Sequence, residues 1–250
     1  MNYNWNWGIF FELSPDGRGT YLDTLLAGLG WTIATGLLAW AVALALGALV
    51  GVARTTPIRP LAWLGHAWVE LFRNIPLLVQ MFLWFFVIPE LLPAQLGTAV
   101  KQMPNAPFWT AVVCLGLFTS ARVAEQVRAG IESLPRGQRL AGTAIGLTLP
   151  QTYRYVLLPL AFRIILPPLT SEFLNIIKNS AVALTIGLLE LTAAARSIQE
   201  FSFQVFEAFT AATLVYLMIN GVVVLAMRWL ERRVAVPGMV AAGAAPRAGH

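Results

Sequence analysis

The amino-acid sequence predicts an all-α membrane protein with five transmembrane helices, and three observations support this fold class. The chain has 250 residues, of which 58% are hydrophobic and only 12% are charged, whereas soluble domains carry about 25% charged residues. So little charge cannot cover a water-facing surface, which excludes a soluble enzyme, a disordered chain and a nucleic-acid-binding module. The other two observations are a series of long uncharged segments and an unequal distribution of basic residues among their connections.

The uncharged segments predict where the helices cross, because about 20 apolar residues are needed to span a bilayer. The fourth segment is unusual, since Glu172 and Lys178 interrupt an otherwise apolar composition. The predicted spans, with approximate bounds, cover residues 24–53, 74–92, 105–124, 164–189 and 207–228.

The basic residues predict that the N-terminus lies outside and the C-terminus in the cytoplasm, because cytoplasmic connections are enriched in Lys and Arg. Thirteen basic residues fall on the side of the C-terminus and three on the other. Residues 1–23 are therefore expected outside, and residues 231–250 form a cytoplasmic tail that is expected to be disordered after residue 237. The thirteen are Arg54, Arg59, Arg73, Arg122, Arg128, Arg136, Arg139, Arg154, Arg163, Arg228, Arg232, Arg233 and Arg247; the three are Arg18, Lys101 and Arg196.

Several kinds of chemistry lack the residues they need. Cys114 is the only cysteine, which excludes a disulfide framework and Cys-rich metal sites, and two dispersed histidines form no ligand cluster. Neither of the two lysines, Lys101 and Lys178, lies in a G-x-x-x-x-G-K-[ST] sequence, so any ATP must be hydrolysed by another chain. The first residues contain no basic stretch followed by an apolar run, and we expect no cleavable signal peptide.

A connection of about forty residues, 124–163, separates the third and fourth predicted spans, and a segment this long is rarely without a role. It predicts two short helices joined by a turn. Ser133 is the expected cap of the first helix, Gly146 and Pro150 end it, and the second covers residues 151–157. The first helix has an apolar face, so an alternative interpretation is an amphipathic hairpin that lies on the lipid headgroups.

The sequence GQRLAGTAIG at 137–146, followed after nine residues by VLLP at 156–159, resembles the EAA loop of binding-protein-dependent ABC importer permeases. In that family, the loop contains a short coupling helix that docks on a cytoplasmic ATPase. The resemblance implies that residues 130–163 couple this chain to such an ATPase, although Leu140 replaces the usual Glu. The residues that the motif assigns to this contact are Leu140, Ala141, Gly142, Gly146, Val156, Leu158 and Pro159.

Further segments resemble the polar amino-acid permeases, the histidine and glutamate type of this family, in the same order along the chain. They are ELFRNIPLLVQ at 70–80, AEQVRAGI at 124–131 and IKNS at 177–180. A narrower resemblance, to the glutamate and aspartate permeases of that family, rests on WNWGIF at 5–10, VIPELLP at 87–93 and SLPRGQ at 133–138. Together these segments extend the resemblance over about residues 4–237.

The resemblance implies the type I ABC importer permease fold in a bacterial inner membrane, with the N-terminus in the periplasm. The implied partners are a cytoplasmic ATPase dimer that binds ATP and Mg²⁺, and a periplasmic amino-acid-binding protein. A second permease subunit is also implied and is expected to be a different chain, which would make the pair a heterodimer. This chain is expected to be a transport subunit without a cofactor of its own, and not an enzyme.

Ionisable residues within a span are costly and are functional candidates by default. We hypothesise that Arg122 and Lys178 select a dicarboxylic amino acid, because cations attract carboxylates and a guanidinium offers them a planar fork. In the alternative interpretation, Lys178 is neutralised by Glu172 or Glu125, and Arg122 extends to the membrane surface. The candidates for the substrate path, on one polar sector of the fourth helix and one side of the third, are Arg122, Glu125, Glu172, Asn175, Lys178 and Asn179.

The sequence therefore predicts the permease subunit of an ATP-driven importer for glutamate or aspartate, with their amides still open as substrates. The alternative is an ion-coupled secondary transporter in which Glu172, Lys178 and Glu125 form a proton relay. A membrane-embedded enzyme is disfavoured because no nucleophile and base occur in a recognisable arrangement. A scaffold that only anchors an ATPase is a further alternative.

Overall fold

The computed structural model describes residues 3–15, 17 and 19–234, without the side chains of Arg136 and Arg139. The regular structure of these residues is helical, and an isolated bridge between Leu13 and Thr20 is the only strand-like pairing in them. The predicted disorder after residue 237 lies outside the described residues. The helices are α1 (Tyr21–Thr55), α2 (Arg59–Asn74), α3 (Leu77–Leu91), α4 (Ala94–Lys101), α5 (Ala106–Glu132), α6 (Arg136–Ala144), α7 (Leu149–Ile186), α8 (Leu191–Ser202) and α9 (Val205–Val234).

Within the described residues, four helices are long and apolar enough to cross a membrane: α1, α5, α7 and α9. Helices α2 and α3 pass the same test as a bent pair, which brings the candidate spans to five and agrees with the predicted fold class. The helices extend beyond the predicted spans, because a helix can continue into water after its apolar segment ends. Helix α5, for example, continues past residue 124 and includes Glu125, Arg128 and Glu132. The predicted membrane boundaries stay predictions.

Two amphipathic helices, α2 and α8, were not predicted, because neither contains a long uncharged run. The predicted span 74–92 corresponds to α3 alone, which begins at Leu77 after a bend of 101° from α2. The buried side chain of Gln80 stabilises this bend. Its Nε2 donates hydrogen bonds to the backbone oxygens of Phe72 at 3.0 Å and Ile75 at 2.9 Å, which the bend leaves without helical partners.

The prediction of two separate short helices in the long connection is wrong, because only the first of them, α6, is separate. The second forms the first turns of α7, which continues past Pro159 into the fourth predicted span, 164–189. A π-turn at Tyr153–Leu157 makes this possible: the backbone N–H of Leu158 bonds to the oxygen of Tyr153, five residues back. The wider turn accommodates a proline that cannot donate a hydrogen bond. Helix α3 contains the same arrangement at Leu83–Val87, just before its own proline.

The predicted start of α6 is also wrong, whereas its predicted end is confirmed. Ser133 ends α5, since its hydroxyl donates to the backbone oxygen of Gly130 at 2.8 Å, and α6 begins only after Pro135. Gly146 ends α6 with a φ of +85°, in the left-handed region that favours glycine. The N–H of Leu147 then bonds to an oxygen of the last helical turn.

Close packing between α1 and α5 holds the centre of the bundle together, and glycines permit it. A Cβ added at Gly47 would lie 2.5 Å from the Cβ of Val123, and one at Gly51 would lie 2.6 Å from the Cβ of Val127. No side chain fits at such distances. The small residues of α1 therefore let the backbone of α5 approach closely, as small-xxx-small sequences do between membrane helices.

The N-terminal segment packs against the first turn of α9. Glu207, which is fully buried, accepts a hydrogen bond from the backbone N–H of Asn6 at 2.7 Å and another from the hydroxyl of Tyr3. The hydroxyl oxygen of Tyr3 also lies 2.8 Å from Oε1 of Gln204. These bonds join the segment before α1 to the opposite end of the chain.

Candidate functional site

An open cavity of about 500 Å³ lies where α2, α5 and α7 meet, and polar side chains line it. Three of the six residues predicted for the substrate path, Arg122, Glu125 and Glu172, line this cavity together with Arg73 and Gln126. The structure thus brings the charged end of α5 against the polar sector of α7. The residues differ strongly, however, in how tightly they are paired.

Glu125 is the centre of an ion-pair cluster that joins three helices. Its Oε1 lies 2.8 Å from Nη1 of Arg54 on α1 and 3.3 Å from Nη1 of Arg73 on α2. Its Oε2 lies 3.0 Å from Nη2 of Arg128, one turn further along α5. Both carboxylate oxygens are therefore occupied, and the cluster holds α1, α2 and α5 in a fixed arrangement.

Arg54 is the most deeply buried cation of this cluster, with a side chain that is only 5% exposed. Besides Glu125, it contacts His66 of α2, whose Nδ1 lies 3.1 Å from its Nη2. A neutral imidazole accepts this hydrogen bond, since a guanidinium can only donate. The Nε of Arg54 has no hydrogen-bond partner in the part of the chain that the structure describes. Arg54 therefore depends on Glu125 for the compensation of its charge.

Arg122 and Glu172 form a much looser pair across the same cavity. Nη1 of Arg122 lies 3.8 Å from Oε2 of Glu172, too far for a hydrogen bond, and this buried oxygen has no other hydrogen-bond partner among the described residues. The side chain of Arg122 is 42% exposed and lies over the ring of Phe118, 4.9 Å from its centroid. The hydrogen-bonding fork of Arg122 therefore stays open to the cavity.

The structure separates Lys178 from this cavity. Lys178 is exposed, and no ion pair or hydrogen bond joins it to another described residue. The interpretation that Glu172 or Glu125 neutralises Lys178 is thus wrong, because both carboxylates pair with arginines instead. Asn175 and Asn179 are half-buried on α7, one and two turns beyond Glu172.

The residues that the EAA-type motif assigns to an ATPase contact lie on α6 and at the start of α7. Leu140 and the neighbouring Ile145 are 66% and 76% exposed, and Ala141 is exposed as well. Helix α6 thus presents an apolar surface that no described residue covers. The remaining positions differ: Gly142 is buried against Thr152, Gly146 ends α6, Val156 and Leu158 are half-buried, and Pro159 is exposed.

The residues that hold the cavity together were not predicted from the sequence: Arg54, His66 and the structural role of Arg73. Their partner Glu125 lies 71 residues from Arg54 and 52 from Arg73 along the chain. Helical periodicity relates only residues three or four positions apart, so it could not indicate contacts over such separations. The single available signal was the concentration of arginines at the ends of predicted spans, which was attributed to orientation.

Another buried carboxylate was missed at the N-terminus of α8, where it packs against α9. Glu190 is fully buried and accepts hydrogen bonds from the N–H groups of Thr192 and Ala193 and from the hydroxyl of Tyr216, at 2.8–2.9 Å. It caps the N-terminus of α8, a structural role that needs no cation. Within the described residues, no three His, Cys, Asp or Glu side chains come together to form a possible metal site.

Comparison with known proteins adds a family and several relatives. Residues 43–236 match the family model of binding-protein-dependent transport system inner membrane components. The chain is 52% identical over 241 residues to the glutamate/aspartate import permease protein GltJ of Escherichia coli K12, which covers 95% of this chain and 98% of that protein. It is 34% identical over 218 residues to a probable glutamine ABC transporter permease protein, GlnM, of Bacillus subtilis, covering 87% and 94%.

Solved structures show the same fold. An amino acid ABC transporter crystallised with histidines matches with a TM-score of 0.72 and 30% identity, over 85% of this chain and 95% of the other. The MetNI methionine ABC transporter, in inward-facing conformations, matches with a TM-score of 0.65 over 86% and 96% of the two chains. At 20% identity, this second likeness concerns the fold alone.

Proposed function

The chain belongs to the family of binding-protein-dependent transport system inner membrane components, and within that family we propose that it carries an acidic amino acid, glutamate or aspartate, into the cell. The chain is the permease subunit of an amino-acid ABC importer in the inner membrane, and is a transport component and not an enzyme. Membership in this family overturns the alternative of an ion-coupled secondary transporter. An importer of this class works with an ATPase and a periplasmic binding protein.

The observation that supports an acidic substrate is the loose pair of Arg122 and Glu172 in the open cavity. At 3.8 Å the two groups attract each other without a hydrogen bond. The guanidinium of Arg122 therefore lies near a carboxylate, but its N–H groups do not donate to it. A bidentate carboxylate is the ligand that best fits such a fork. A relative that is 52% identical and is named as a glutamate/aspartate permease supports the same substrate class.

In this proposal, the side-chain carboxylate of the substrate takes the place of Glu172 at Arg122 as it passes through the cavity. Glu125 cannot play the same part as Glu172, because three arginines occupy it; it fixes the wall of the path instead. Asn175, Lys178 and Asn179 continue the polar side of α7 beyond Glu172. Lys178 follows Glu172 by six residues, about 9 Å along the helix. In this proposal its unpaired ammonium attracts the substrate carboxylate at another stage of the passage.

The exposed surface of α6 supports a second part of the proposal, the contact with the ATPase. Leu140, Ala141, Gly142 and Gly146, with Val156, Leu158 and Pro159 at the start of α7, form the coupling region. Because α7 is continuous from this region to Glu172 and beyond, a movement of α6 can be transmitted directly to the cavity. ATP and Mg²⁺ are bound by the ATPase in this proposal, and a second, different permease chain completes the translocation path.

The experiment is reconstitution of the complex with a candidate acidic amino-acid-binding protein, the ATPase and the second permease in proteoliposomes. ATP hydrolysis and uptake are measured with glutamate, aspartate, glutamine, asparagine and histidine. We expect acidic substrates to stimulate both activities more than neutral or basic ones. Arg122→Tyr should remove most of this stimulation while the complex still assembles, because only the carboxylate-binding fork is lost.

Two controls make the result specific. Arg59→Gln removes an exposed arginine outside the cavity and should leave the preference for acidic substrates unchanged. A chain whose residues 140–146 are scrambled should lose the ATPase during purification. Equal stimulation by all five amino acids would contradict the acidic substrate, and equal loss of uptake and assembly in Arg122→Tyr would contradict the role of Arg122. Retention of the ATPase by the scrambled chain would contradict the coupling role of α6.

A further inference from the structure

Helix α2 has three sides of different chemistry, and the first of them packs on the bundle. Val69 and Phe72 are buried among Ala121 and Ala124 of α5. Gly65 is buried against α1, where an added Cβ would lie 2.6 Å from the Cγ of Arg54. This side fixes α2 across the ends of two candidate spans.

The second side of α2 is polar. His66, Glu70 and Arg73 fall within about 60° of one another at 100° per residue. His66 contacts Arg54, and Arg73 pairs with Glu125 on α5. With Arg59 at its first residue and Glu70 and Arg73 near its last, α2 is charged at both ends. The ten uncharged residues between them are too few to cross a bilayer.

The third side of α2 is apolar and exposed. Leu61, Leu64 and Leu71 fall within about 80° of one another, almost opposite the polar side, and Leu64 is 58% exposed. No described residue covers these three side chains fully. In water they would form an unfavourable apolar stripe, so their surroundings must come from outside the chain.

The contacts of α2 with α5 show which way each side faces. Arg73, on the polar side, pairs with Glu125 near the charged end of α5. Trp68 falls within the apolar side, between Leu61 and Leu64 around the helix. Its Nε1 donates at 3.0 Å to the hydroxyl of Ser120, which belongs to the uncharged part of α5. The apolar stripe is therefore directed towards the bilayer and the polar side towards water.

The depth of α2 agrees with this orientation. Gly65 packs against Arg54, the residue at which the uncharged segment 24–53 of α1 ends. The bend of 101° sets α2 nearly perpendicular to α3, so α2 runs along the membrane surface if α3 crosses it. Amphipathic helices with these properties lie in the interface between lipid headgroups and acyl chains.

We propose that α2 lies in the membrane interface and binds phospholipid through Leu61, Leu64 and Leu71. The occupant of the apolar stripe is the bilayer and not another protein subunit. In this position, one side of α2 contacts lipid, and Arg73 on another side pairs with Glu125 in the wall of the cavity. Helix α2 thereby connects the cavity wall to the membrane surface.

The test is site-specific labelling of α2, which is possible because the chain has a single native cysteine. Cys114 is fully buried, so a cysteine introduced on α2 can be labelled selectively in the folded protein. Leu64→Cys and Glu70→Cys are labelled with the fluorophore NBD, and the assembled permease is placed in nanodiscs of phosphatidylethanolamine and phosphatidylglycerol. Quenching by doxyl groups on the lipid acyl chains is then compared with quenching by iodide in the water.

We expect the label at residue 64 to be quenched several-fold more by doxyl lipids than by iodide, and the label at residue 70 to show the reverse. Leu71→Cys should behave like Leu64→Cys, which guards against a local effect of one substitution. Equal access of iodide to residues 64 and 70 would overturn the proposal, as would strong lipid quenching at both. Lipid contact at residue 64 must also persist without the ATPase; protection that requires the ATPase would identify that protein as the occupant instead.

Discussion

Glu125 and Glu172 line the same cavity, yet their surroundings differ in every respect that controls the strength of an ion pair. Glu125 accepts from three arginines at 2.8–3.3 Å, and one of these, Arg54, is almost completely buried. Glu172 has one cation at 3.8 Å and an oxygen without a hydrogen bond among the described residues. The partner of Glu172, Arg122, is exposed to the cavity for much of its surface.

This difference separates a structural carboxylate from one that can be displaced. Removing Glu125 would leave a buried guanidinium without compensation, and that is costly. Moving Glu172 away from Arg122 would break no hydrogen bond, and the open cavity allows water or a ligand to replace it. A transport path needs both kinds of group, because its wall must stay in place while its contents change.

The largest effect is expected at Glu125. Glu125→Gln should lower the free energy of unfolding by about 3 kcal/mol, near the lower end of the range for breaking a buried ion pair, since Glu125 itself keeps some exposure. The loss arises because Arg54 stays charged and buried. It can be measured by SDS titration, with the labelling of Cys114, which is buried in the folded protein, as the readout of unfolding.

A double variant provides the control for this prediction. Replacement of both Arg54 and Glu125 by Met removes the unpaired charge as well as the pair, and buried pairs exchanged for apolar groups often cost little. Arg54→Met with Glu125→Met should therefore be more stable than Glu125→Gln alone. A double variant that is less stable than the single one would show that the unpaired charge of Arg54 is not what destabilises Glu125→Gln.

The Glu125 cluster also marks the limit of what the sequence could predict. The fold class, the five apolar segments and Glu172 within the fourth of them follow from composition and spacing, which are local properties. The contact of Arg54 with Glu125 is not local, because 71 residues separate the two in the chain. An arginine after an apolar segment looks the same whether it contacts lipid headgroups or a buried carboxylate.

The helices that were mispredicted have a related cause. Arg59, Glu70 and Arg73 leave only a short uncharged run in α2, so a search for long uncharged segments passed over it, although its three-sided character is visible in its sequence. Helix α7 continues past Pro159 because a π-turn absorbs the missing hydrogen bond. Proline normally predicts the end of a helix, and no signal in the sequence distinguished this proline from one that does so.

A smaller effect is expected at Arg73, because its exposure to solvent weakens its attraction to Glu125. The side chain of Arg73 is about half exposed and lies 3.3 Å from Glu125. Exposed pairs contribute about 1 kcal/mol or less, and Arg54 and Arg128 would still neutralise the carboxylate. Arg73→Gln should thus lower stability by no more than about 1 kcal/mol in the same SDS titration. A loss as large as that of Glu125→Gln would show that all three arginines are equally essential.

The smallest change in stability is expected at Glu172. Glu172→Gln removes a carboxylate that is largely buried but makes only a long contact, so the gain from relieving its burial offsets the lost attraction to Arg122. The free energy of unfolding should change by less than about 1 kcal/mol.

Transport distinguishes Glu172→Gln from the variants of the cluster. Arg122 keeps its charge and its open fork in this variant, so acidic substrates should still stimulate ATP hydrolysis in the reconstituted complex, in contrast to Arg122→Tyr. If Glu172→Gln instead destabilised the protein as strongly as Glu125→Gln, the pair of Arg122 and Glu172 would stabilise the fold despite its long distance. The fork of Arg122 would then be unavailable to a substrate carboxylate, and the acidic preference would need another origin, with the unpaired Lys178 as the next cation along α7.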